Sequence, residues 1–98
     1  MSATHTRIRL LLVEDDEPFL MLIKQMLARA NSVVYEVIGA PSLQSAIDRL
    51  SQSAFDIALL DLNLPDSSGF ETFVRFHAGA GEMPIIVLSG VTDEQMAA

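Results

Sequence analysis

The chain has no cysteine and no tryptophan, and one tyrosine and one lysine among its 98 residues. Without cysteine, disulfides and thiolate metal sites are excluded. Positive charge is scarce as well: 6 basic residues stand against 13 acidic ones, a net charge of -7. That balance argues against binding nucleic acid phosphates through this domain and suits cations or basic partners. No apolar run is long enough to cross a bilayer, because the stretch from Ile8 to Val13 is followed at once by Glu14-Asp15-Asp16-Glu17. A secretory leader would need a longer apolar segment and a small-residue cleavage site. The expectation is a cytoplasmic protein with no membrane association. There is also no internal repeat, low-complexity tract or linker.

What is present is a dense apolar content of 50%, enough for one packed domain. Four short β-rich runs are expected as strands: Arg7 to Val13, Val33 to Ile38, Phe55 to Leu60 and Pro84 to Ser89. The central one is short and unbroken, as for a strand buried on both faces. Between the runs, apolar residues recur at helical spacing. Phe19, Leu22, Ile23, Met26, Leu27 and Ala30 predict a first helix from Pro18 to about Ala30, with Asp16 as N-cap and the Met and Leu stripe in the core. Ser42 precedes a second helix carrying Leu43, Ala46, Ile47 and Leu50. Ser68 and Glu71 have capping-box spacing for a third, through Phe70, Phe73 and Val74, that stops at Gly79-Ala80-Gly81. Thr92 and Gln95 have the same spacing for a fourth, just begun at the last residues.

Strands alternating with helices over short connections imply a doubly wound parallel sheet. Ligands of such sheets bind beyond the carboxyl ends of the strands. Three of those ends carry polar groups: Glu14-Asp15-Asp16 after the first strand, Asp61 at the end of the third, and Ser89 at the end of the fourth. The loop after Asp61, from Asn63 to Gly69, is rich in Pro, Ser and Gly and favours an open turn. Crowded carboxylates repel, and raised pKa values or a bound cation relieve them. Oxygen ligands without His or Cys suit a hard ion, with Mg²⁺ the natural candidate. A carboxylate is also a nucleophile toward phosphoryl groups.

These blocks, Leu-Leu-Val-Glu-Asp-Asp at 11 to 16, Leu-Leu-Asp-Leu-Asn-Leu-Pro-Asp-Ser-Ser-Gly at 59 to 69 and Ile-Ile-Val-Leu-Ser-Gly at 85 to 90, resemble the receiver domain of bacterial two-component response regulators. The resemblance covers essentially the whole chain and implies a flavodoxin-like sheet of order 2-1-3-4. It implies a signalling phosphoacceptor rather than an enzyme with a turnover substrate, one that assists its own phosphoryl transfer and dephosphorylation. Asp61 would take a phosphoryl group from a phosphohistidine of a sensor histidine kinase or a phosphotransfer protein. Asp15 would bind Mg²⁺ directly, Glu14 mainly through water, and Asn63 by its backbone carbonyl, with the Asn63 side chain influencing how long the phosphoryl group survives. Ser89 would be the switch hydroxyl, and Gly90 would keep the approach to Asp61 open. Asp16 reads as a helix cap.

The family pattern continues through a full fourth helix, a fifth strand ending in Lys-Pro and a fifth helix, and the sequence has no counterpart for them. Its one lysine is Lys24, in the first helix. Residues 1–98 are therefore expected to be a receiver domain incomplete at its carboxyl end, weak toward phosphodonors and given to associating with a second copy through the edge of its fourth strand. A second reading stays open, a receiver-like interaction module that takes no phosphate. An aspartyl phosphatase would need a second acid two residues after the nucleophile, where Asn63 stands. His77 is expected on a solvated helix end and His5 in the amino-terminal tail.

Overall fold

The computed structural model describes residues 6–88. Ser89, Gly90, the helix expected from Thr92 and the tail with His5 lie outside them. In chain order the elements are β1 (Thr6–Val13), α1 (Glu17–Leu27), β2 (Val33–Ala40), α2 (Leu43–Gln52), β3 (Ile57–Asp61), β4 (Asn63–Leu64), β5 (Ser67–Ser68), α3 (Phe70–Ala80) and β6 (Ile85–Leu88). The main sheet has the order β2-β1-β3-β6, every pair parallel. This is the expected 2-1-3-4 order, since β4 and β5 are only a two-residue antiparallel ladder within the loop after β3.

Strand side chains alternate between the faces of a sheet, and the two faces are covered differently here. Leu11, Val13, Ala58 and Leu60 pack with Leu43 and Ala46 of α2 and Phe76 of α3 into one core. On the opposite face Leu27 of α1 joins Ile8, Leu10, Tyr35, Ile57, Leu59 and Ile86 around a groove of about 290 Å³. Two sequence expectations are corrected. The Met and Leu stripe of α1 is not core: no residue of the helix is buried, and Met21, Leu22 and Met26 are 54%, 51% and 58% exposed. Nor is β3 sealed on both faces, because Ile57 and Leu59 stay half-buried while Ala58 and Leu60 are buried.

The helix ends show what local chemistry does. Asp16 caps α1 by accepting from the Phe19 amide at 3.2 Å, as its position predicts. Helix α1 also stops at Leu27, short of Ala30, and β2 runs on through Gly39 and Ala40. The capping box expected from Ser68 and Glu71 does not form. Ser68 is engaged in the ladder opposite Asn63, so α3 starts one residue later, after Gly69, with no side-chain cap. Gly69 turns the chain there at φ 74°, a conformation that costs a residue with a Cβ strain.

Candidate functional site

Register brings the acids together. In the parallel pair of β1 and β3, Val13 lies opposite Leu60, so the next residues, Glu14 and Asp61, emerge side by side at the carboxyl edge. The Glu14 amide extends the ladder by donating to the Ala40 carbonyl at 3.0 Å. Strand β1 continues into α1 on the grooved face, while β3 continues into α3 on the packed face. Adjacent strands whose connections part to opposite faces open a crevice between them. Glu14, Asp15 and Asp61 stand at that point, each offering an oxygen, the three within 4.8 Å of one another.

The three carboxylates are not equivalent. Glu14 is 7% exposed and Asp61 is 9% exposed, whereas Asp15 is open to solvent. A Glu14 oxygen accepts from the backbone amides of Asp15 at 3.0 Å and Asp16 at 3.4 Å. Even so, burial, a hydrogen bond to Asp61 and that neighbour's negative charge push the Glu14 carboxyl up to about 7. The two amides pull the other way and lose. Asp61 Oδ1 accepts from the Asn63 amide at 3.0 Å, which folds the following loop back over the acid. This donor set fits a hard divalent cation: it is all oxygen, and it is crowded enough that burial and a neighbouring charge push the Glu14 carboxyl up, a repulsion that a cation would relieve.

The loop after Asp61 has a defined frame. Gly69 donates to the Leu62 carbonyl at 2.9 Å. The buried Thr72 hydroxyl donates to the same carbonyl at 3.0 Å and lies 2.8 Å from the Ser67 hydroxyl. Leu64 is buried in the core. Both carboxylate oxygens of Asp66 accept from α2, at 2.8 Å from the Leu43 amide and 2.9 Å from the Gln44 amide. Those amides hold the Asp66 carboxyl below the usual carboxylate range.

Of the residues singled out in the sequence, Glu14, Asp15 and Asp61 are brought together, and Asn63 follows directly on the exposed side of the loop. Asp16 is turned away into its cap, and Ser89 lies outside the described residues, one position beyond Leu88, the residue opposite Asp61. Lys24 lines a groove of about 350 Å³ with Glu14, Asp15, Glu17, Leu20, Gly39, Ala40 and Pro41. The sequence reading missed Asp66 and Thr72. Asp66 stands inside the block at 59 to 69, but its partner in α2 is 23 residues away, and Thr72 lies outside the blocks with a partner 10 residues away, so neither role could be read from local pattern. His77 is exposed in the last turn of α3, its ring stacked on Phe73 at 5.3 Å.

Comparison with known proteins matches the response regulator receiver domain family over residues 10–98. The chain is 38% identical over 85 residues to the cell cycle response regulator CtrA of Brucella ovis, which covers 86% of this chain and 35% of that protein. It therefore spans well under half the length of the curated relatives it matches. Among solved structures, the phosphorylated cyanobacterial phytochrome response regulator RcpA superposes with a TM-score of 0.77 at 31% identity, over 91% of this chain and 69% of that one. The receiver domain of the sensor histidine kinase PA1611 from Pseudomonas aeruginosa, with a magnesium ion coordinated in its active site cleft, gives 0.73 at 26% identity, over 86% and 68%. Sheet order, the paired acids at the crevice and these matches together show that the chain belongs to the response regulator receiver domain family, the phosphoacceptor module of two-component signalling.

Proposed function

We propose that Asp61 is the phosphoacceptor, that Glu14, Asp15, Asp61 and the Asn63 backbone carbonyl hold Mg²⁺, and that the phosphoryl group comes from a histidine kinase or phosphotransfer protein in the cytoplasm. The observation that carries this reading is the in-register emergence of Glu14 and Asp61 beside Asp15 at the one crevice where β1 and β3 part. A carboxylate oxygen of Asp61 attacks the phosphorus of a phosphohistidine. The P–N bond breaks as the new P–O bond forms, and the imidazole nitrogen leaves with the electron pair. Asp61 is well placed because its strand is fixed in the core while it stands at the carboxyl edge of the sheet beside the exposed Asp15. The Asn63 amide on Asp61 Oδ1 orients the carboxylate. Mg²⁺, when bound, supplies the positive charge that lets an anionic phosphoryl group approach three carboxylates. Ser89 is proposed as the hydroxyl that turns toward the phosphoryl oxygens, and the change it registers is passed to an output. The chain's own chemistry is then one transfer followed by hydrolysis of the aspartyl phosphate to carboxylate and inorganic phosphate, a signalling role.

The test is phosphorylation by acetyl phosphate with Mg²⁺, read by intact mass and hydroxylamine lability. Wild type should gain one labile adduct and Asp61→Asn none. An adduct of unchanged level on Asp61→Asn would move the chemistry to another carboxylate. A wild type that takes no phosphoryl group would favour the interaction-module reading.

A further inference from the structure

The metal site depends on where the loop from Leu62 to Gly69 sits, because that loop carries Asn63 and folds over Asp61. Its internal bonds fix its shape. The Gly69 and Thr72 donors to Leu62, the Ser67–Thr72 hydroxyl pair and the two-residue ladder all close within residues 62–72. They do not say where that shaped loop lies relative to the sheet. Burial of Leu64 pulls it toward the core, but apolar contact is not directional. The Asp66 carboxylate leaves the loop and accepts two amides of another element, at 2.8 Å and 2.9 Å.

The receiving element is a fixed post. Leu43 and Ala46 of α2 are fully buried, so the first turn of the helix cannot drift without opening the core. The first four amides of a helix have no partner within it, and here they are divided. Ser42 Oγ accepts from the Ser45 amide at 3.1 Å and Ser45 Oγ accepts from the Ser42 amide at 3.1 Å. Leu43 and Gln44 are left to Asp66. Two charge-assisted bonds to adjacent amides fix direction as well as distance.

We infer that Asp66 is a positioning residue for the phosphoacceptor site, clamping the Asn63 loop to the amino end of α2 so that the Asn63 carbonyl is held ready beside Asp15 and Asp61. This rests on the metal reading given above. Outer partners of metal ligands commonly matter about tenfold or more in metal affinity. By linkage the effect is reciprocal, so occupancy of the metal site should also steady the first turn of α2.

The experiment uses three variants of the 98-residue chain. Asp66→Ala removes the clamp, whereas Ser42→Ala weakens the same helix end and leaves the clamp in place. Titration with Mg²⁺ alone by calorimetry should show Asp66→Ala weakened by about tenfold and Ser42→Ala matching wild type, even where both lower the melting temperature. Asp66→Asn, which keeps one acceptor oxygen, should fall between. Amide hydrogen exchange at Asn63, whose amide donates to Asp61, reads the seating of the loop without metal, and it should quicken in Asp66→Ala but not in Ser42→Ala. Wild-type Mg²⁺ affinity in Asp66→Ala overturns the positioning role and leaves the site intact. Failure of wild type itself to bind Mg²⁺ overturns the metal reading, and unchanged Asn63 protection in Asp66→Ala then overturns the clamp independently.

Discussion

The same strands present two faces of similar apolar character, yet on one face Leu11, Val13, Ala58 and Leu60 have no exposure while on the other, where Leu10 and Leu12 are buried, Ile8, Ile57 and Ile86 line an open groove. What differs is the cover. Helices α2 and α3 lie on the first face and interlock there through Leu43, Ala46 and Phe76. Helix α1, on the other, buries none of its residues completely. Folding stability should therefore be concentrated on the α2–α3 side. The acids draw on both sides, since Asp61 enters a loop anchored in the sealed core while Glu14 and Asp15 enter the loosely packed helix.

The largest effect expected of this asymmetry is on unfolding free energy. Phe76→Ala removes a fully buried ring and should cost about 3–5 kcal/mol by transfer and cavity terms. Leu22→Ala on α1, at a side chain 51% exposed, should stay within about 0.5 kcal/mol. Urea unfolding followed by circular dichroism would measure both. A Leu22→Ala cost approaching that of Phe76→Ala would mean that the two faces are equally load-sharing and would break the comparison.

The contrast also explains what could be read from the residues alone. Strand order and the meeting of Glu14, Asp15 and Asp61 were legible, because short apolar runs ending in acids and alternating with helices admit few topologies. The exposure of Met21, Leu22 and Met26 was not. Periodicity tells which side of a helix is apolar, but burial depends on what other elements bring to it. The Asp66 clamp was hidden for a related reason: a carboxylate in a turn has many local partners available, and choosing the amides of α2 requires the tertiary fold. The Ser68–Glu71 box failed because a competing local structure, the ladder with Asn63, claimed Ser68 first.

The next effect in size lies where the faces meet. An isolated glutamate releases its proton near 4.5, and in the fold Glu14 keeps it to about 7. Between those values the folded state binds more protons than the unfolded chain. Metal-free stability therefore falls as pH rises through this window, and below it Glu14 carries no penalty. Asp66 has the opposite sign, since its lowered pKa adds stability above the unfolded value of 3.8 that is lost as pH falls through the folded value. Thermal melts in EDTA from pH 4.5 to 8 should show a fall of several degrees, as roughly 1 kcal/mol moves the midpoint of a domain this size by about 4–8 °C. Glu14→Gln should flatten the fall, and saturating Mg²⁺ should cancel most of it. A wild-type melt that stays level across the window without metal would show that Glu14 and Asp61 do not crowd each other.

The smallest expected effect on folding, and the most pointed test of the open face, comes from Met26→Gln. Met26 is 58% exposed and Leu22 is 51% exposed on α1, and Ile86 of the outermost described strand is 49% exposed. Replacing an exposed methionine leaves core packing as it was, so unfolding free energy should change by no more than about 0.5 kcal/mol. Apolar area facing water still has a cost, about 25 cal/mol per Å², and one way to recover it is contact between copies of the chain. Sedimentation velocity across a wide concentration range should show the wild type associating, and Leu22→Gln with Met26→Gln together shifting the population toward monomer while the melting temperature holds. An equally compact monomer for wild type and double variant at every concentration would show that the groove beside Leu27 and its neighbours is satisfied within a single chain, which would make the difference between the two faces one of degree only.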